Sequence, residues 1–154
     1  YFQKKVYKAL KVWYNGTINK IRKYIMNQLI EQTNELLTTM SNDLEQWYSR
    51  SEFCTDEQYI KDRMEGITYH FEEGRNFIKL LKSEESQYDG SLRSGVVGFI
   101  VKKSPKAIDN KTNEPFNVGD MLMAAGYNAP STNFARGNVL TGYSQANVRW
   151  TGIQ

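Results

Sequence analysis

The chain has 154 residues, 40% hydrophobic and 24% charged, with a net charge of +3. Its one cysteine, Cys54, rules out an internal disulfide and with it a secreted, disulfide-stapled scaffold, so a reducing, intracellular (cytoplasmic) compartment is the expectation. No apolar run approaches the roughly 18 residues of a membrane span, and Trp13, Tyr14 and Asn15 interrupt the place where the apolar core of a signal peptide would lie.

The small net charge hides an uneven distribution. Residues 1–30 carry seven bases and no acid, residues 31–90 carry fourteen acids against six bases, and residues 91–154 carry seven bases against three acids. Such asymmetry marks an end that faces nucleic acid or a membrane, or a helix that docks on opposite charge.

Tyr1-Phe2-Gln3 matches the end of a common engineered protease site and reads as tag. From Val6 to Trp47 apolar residues recur at steps of three and four: Val6, Leu10 and Trp13, then Ile18, Ile21, Ile25 and Leu29, then Leu36 or Leu37, Met40, Leu44 and Trp47. Asn15-Gly16 is the weak point, and Thr17 is placed to cap a restart. The spacing predicts a short basic helix over 4–14 and a long one over 17–50.

Ser51 to Thr55 breaks the pattern. Thr55 with Gln58 fits a capping box, and Ile60, Met64, Ile67, Phe71, Ile78 and Leu81 continue a stripe to about Lys82. The short connection predicts an antiparallel helical hairpin. Its narrow apolar seam needs a further partner.

The texture changes after Tyr88-Asp89-Gly90. Val96 to Val101 is a β-branched run and the best strand in the chain. Asp109 to Asn113 reads as a turn. Asn117 is placed to cap a short helix over 119–125, and 138–141 and 147–151 read as two more strands. The predicted class is α+β, with a helical region over 1–86 and a small β-rich module with one short helix over 87–154. The last strand stops at the end of the chain, which reads as a piece of a longer protein.

Catalytic equipment is sparse. His70 and Cys54 are the only His and Cys, too few for a zinc site of those ligands. The acid pairs Glu72-Glu73 and Glu84-Glu85 read as a solvated face. There is no phosphate loop of either common type. No catalytic residue, metal ligand or cofactor is assigned, and the reading is non-enzymatic.

The candidate binding residues fall in two groups. Lys4, Lys8, Lys11, Arg22 and Lys23 interleave with Tyr7, Trp13, Tyr14 and Tyr24, the combination that binds single-stranded nucleic acid. Phe134 and Arg136, with Arg149 and Trp150, mark a second surface suited to a protein hot spot or a nucleic-acid strand. The expected function is an interaction or assembly domain of a larger structural protein, of phage, viral or mobile-element type, whose helices meet another copy or a protein partner. A nucleic-acid-binding protein using segment 1–30 and the Arg136 loop is the alternative. A membrane is not the expected partner.

Overall fold

The computed structural model describes the backbone of residues 2–51 and 56–154; for residues 2–5, 7 and 9 it describes the backbone alone. Helix α1 runs from Phe2 to Arg50 without a break. Two helices meeting at Asn15-Gly16 were expected; one helix passes straight through. Thr17 does not cap a restart but donates its hydroxyl to the Trp13 carbonyl at 3.0 Å, a bond made within a continuous helix. A single glycine costs a helix only about 1 kcal/mol, too little to end one this long.

Helix α2 covers Glu57–Glu65. Its cap is Asp56, whose carboxylate accepts from the Gln58 and Tyr59 amides. The expected cap Thr55 lies outside the described residues, as does Cys54. The long helical hairpin is not confirmed, because α2 ends at Glu65 and the helix predicted to reach Lys82 is instead two strands. These are β1 (Ile67–Glu73) and β2 (Phe77–Glu85), paired antiparallel with Phe71 opposite Leu80. The helical spacing misled for a physical reason. Ile67 and Phe71 are four apart, which is also an even number, so they share one face of a strand. Ile78 and Leu81 are three apart because β2 is a central strand, buried on both faces.

Strand β3 (Leu92–Val101) contains the predicted run and pairs with β2 along its length, across the stretch where the chain's texture changes. Short strands follow: β4 (Ile108–Asp109), β5 (Glu114–Pro115), β6 (Met121–Leu122), β7 (Ala124–Gly126), β8 (Ala129–Pro130), β9 (Val148–Arg149) and β10 (Gly152–Ile153). The main sheet has the order β1-β2-β3-β6. The other short strands form three two-stranded ribbons, β4 with β5, β7 with β8 and β9 with β10. The α+β class holds.

The helix predicted over 119–125 is not formed. Gly119 takes a left-handed φ of +92° and donates to the Val101 carbonyl, while Val101 donates to the Asp120 carbonyl. These bonds capture the segment beside β3. Likewise 138–141 is a turn and not a strand: the Asn138 side-chain oxygen accepts from the Leu140 and Thr141 amides. The one short helical turn lies at Gln145–Asn147. The strand expected over 147–151 is divided into the ribbon β9–β10, turning through Trp150 and Thr151.

Both faces of the sheet are covered. On one, Leu29, Leu36, Leu37 and Met40 of α1 pack on Ile78, Leu80, Ile100 and Met121, with Val148 and Ile153 closing the side. On the other, Phe99, Val101, Phe116 and Leu122 form a smaller core. Val97 is an extra residue in β3, a bulge that turns its side chain to the α1 side. Gly152 lies against this bulge at φ +125°, and a Cβ there would strike the Val97 carbonyl oxygen.

Candidate functional site

Helix α1 has two unlike halves. From Met26 onward it is core, with Leu29, Thr33, Leu36, Met40 and Leu44 buried against the sheet. Before Met26 it runs on for about 36 Å at 1.5 Å per residue, and its apolar side chains are open: Trp13 is 70% exposed, Ile21 53% and Ile25 39%. Leu10, Tyr14 and Tyr24 are exposed with them.

The apolar stripe winds as it goes. At about 100° per residue, Leu10, Trp13, Tyr14, Ile21, Tyr24 and Ile25 centre on a direction roughly 130° from that of the buried residues Leu29 to Leu44. The overhang therefore shows its apolar side away from the chain's own sheet. Lys8 and Lys23 point away from the arc, while Lys11 and Arg22 flank one edge of it and Lys20 the other; all five are exposed. Lys4 and Tyr7 lie on the helix, with side chains outside the described residues.

The C-terminal candidates separate into two places. Phe134 and Arg136 come together: the Arg136 guanidinium stacks 3.8 Å from the Phe134 ring centroid, with Lys111 Nζ 4.6 Å from the same centroid. The Arg136 carbonyl accepts from Asn147 Nδ2 at 2.7 Å, and its Nε is buried without a partner. Arg149 and Trp150 lie instead at the C-terminal end of α1. The Asp43 carboxylate accepts from the Trp150 amide at 2.8 Å and pairs with Arg149 at 3.5 Å. Trp150 packs on Trp47 with centroids 5.0 Å apart, and Lys82 Nζ lies 5.0 Å from the Trp150 ring. Burial lowers the pKa of Lys82. Burial, then the Asp43 charge, raises that of Tyr69, which stays protonated and donates to the Trp150 carbonyl at 2.7 Å.

Sequence reasoning missed Asp43, Tyr69 and Lys82 in this cluster. Asp43 and Trp150 are 107 residues apart, and no local spacing announces the bond. Trp47 was legible as the last member of the α1 stripe, but not as a neighbour of Trp150.

An open groove of about 550 Å³ lies beside α2, lined by Asp62, Arg63, Glu65, Glu84 and Glu85. Arg63 Nη2 meets Glu84 Oε1 at 2.8 Å, so one of its acids is already neutralised. His70 lies on the edge strand β1, half-buried. Among the described residues no cluster of three or more His, Cys, Asp or Glu is placed to hold a metal ion, and no helix is long and apolar enough to cross a membrane. Comparison with protein-family models, with curated proteins and with solved structures found no match.

Proposed function

We propose that this chain is a non-enzymatic interaction and assembly domain whose interface is the overhanging half of α1. One observation carries the reading: an exposed apolar arc on a helix that is otherwise core, turned away from the sheet that covers the rest. Scattered single apolar residues on a surface need no explanation, but a contiguous patch marks an interaction site. Complete burial of Leu10, Trp13, Tyr14, Ile21 and Ile25 would supply about 10 kcal/mol gross, comparable with the cost of association. Left bare, this half is held only by propagation from the buried half of α1 and lacks the packing of an apolar face that supplies most helical stability in proteins.

The same half supports nucleic-acid binding as a second reading, because it carries seven bases and no acid. The loop at Arg136 adds less to that reading than its sequence promised, since the guanidinium is committed to Phe134.

A nitroxide label tests the interface. It is placed at Thr17→Cys, inside the apolar arc, or at Lys8→Cys, opposite it, each with Cys54→Ser. The proposal expects immobilisation at position 17 and continued mobility at position 8 as protein concentration rises. Immobilisation at position 8 on adding oligonucleotide supports the second reading. Free motion at both positions under all conditions contradicts both.

A further inference from the structure

The apolar side of the overhang is nearly pure. Between residues 10 and 25 it presents Leu10, Trp13, Tyr14, Ile21, Tyr24 and Ile25, all exposed. Thr17 is the only residue on that side that is neither aliphatic nor aromatic. Trp13, Tyr14 and Tyr24 have an apolar ring and a polar tip, a combination that settles where hydrocarbon gives way to water. The bases frame this side. Lys11 and Arg22 lie along one edge and Lys20 along the other, all exposed. Their long stems can follow apolar surface while the charges stay at its rim. Residues 1–30 hold no acid to neutralise them.

Charge separates the surfaces that could cover the arc. A second copy laid along it brings its own edge bases against these, with no acid to pair them, so contact between copies is the weaker association. A nucleic-acid strand neutralises the bases but leaves the isoleucines bare, because strands are held by phosphate contacts and by stacking on aromatic rings. A negatively charged bilayer meets both demands at once: acyl chains take the arc, and anionic headgroups take the bases on either side.

The arc is also bounded. Beyond Ile25 the same side of α1 carries Gln28, Glu31, Gln32 and Glu35. Glu31 and Glu35 are exposed and are repelled by an anionic surface. Contact therefore ends near Ile25, and the unbroken helix carries the sheet clear of the surface.

We infer that the overhang of α1 docks in the interface of an anionic lipid bilayer, with its apolar arc sunk among the headgroups. The inference rests on the reading of α1 as an interface and names what covers it best. A membrane was not the partner expected from the sequence. What favours it is the exposure of the whole arc, which spacing alone does not establish. The helix lies on the bilayer and does not cross it, since no helix among the described residues is long and apolar enough to do so.

Vesicles of equal parts phosphatidylglycerol and phosphatidylcholine test this on the full chain, labelled at Thr17→Cys with Cys54→Ser. At a protein concentration where the label moves freely, vesicles should immobilise it. They should open it to oxygen, which dissolves in hydrocarbon, and shield it from a water-soluble nickel chelate. A label at Lys8→Cys should stay open to nickel. Binding should weaken at high salt, and by at least about tenfold on vesicles of phosphatidylcholine alone. Lys11→Ser, Lys20→Ser and Arg22→Ser together should weaken it on the order of a hundredfold. Ile21→Ser with Ile25→Ser keeps the charge and should abolish binding, with thermal unfolding unchanged. Binding that survives the loss of both isoleucines means that the bases act alone, and it overturns the inference. So does a label at position 17 that stays mobile and open to nickel on anionic vesicles. If that label is then immobilised by raising the protein concentration, the bilayer is wrong and the interface stands; if it moves freely under every condition, the interface falls too.

Discussion

Asp109 is 5% exposed, and its carboxylate ties two distant turns together. One oxygen accepts from the Lys111 and Thr112 amides, the other from the Ala135 amide. Burial alone pushes the carboxyl up, but the three backbone donors outweigh it, and the group titrates below its ordinary value. A depressed folded pKa stabilises the fold above the unfolded value of about 3.9, and that contribution is lost as pH falls through the folded value. Asp109→Ala should cost about 3 kcal/mol at neutral pH, since it leaves buried donors unpaired. In urea melts the gap between the native chain and the variant should narrow below about pH 4; a gap that stays constant into acid would contradict the account. The turn at 109–113 was legible from Asp109-Asn110-Lys111-Thr112-Asn113. The reach to Ala135 was not, because a bond across that distance leaves no trace in local composition.

At the scale of elements, α1 and β2 show opposite limits of periodicity. The α1 stripe was legible from Val6 to Trp47 because nothing but a helix keeps such steps adjacent along one winding stripe for so long. Its interruption at Gly16 was over-read, since glycine weakens a helix without ending it. Gly16 has open space where a Cβ would go. Gly16→Ala should therefore stabilise the overhang by about 1 kcal/mol and raise the helical circular-dichroism signal. A fall in helicity would mean that α1 needs a break there. Strand β2 was hidden because a central strand buried on both faces loses the alternation that reveals an edge strand. Arg149 and Trp150 were legible as candidates, but their meeting with Asp43 depends on α1 lying across the sheet and on the ribbon β9–β10 closing beside it.

At the scale of the whole molecule, the sheet and the charge distribution divide α1 between them. The sheet covers the helix from Met26 onward and supplies the core. The seven bases of residues 1–30 sit where the sheet no longer reaches, around an apolar arc left exposed among the described residues. Packing supplies most of a helix's stability in a protein, so the stability of this half reports whether anything covers it. Amide hydrogen exchange of residues 10–25, followed as protein concentration is raised, measures this most directly. The account predicts fast exchange in dilute solution and strong protection as copies gather, while residues 29–44 stay protected throughout. Protection of 10–25 that is already complete in a dilute monomer, or exchange that stays fast at every concentration and with every added partner, would contradict it.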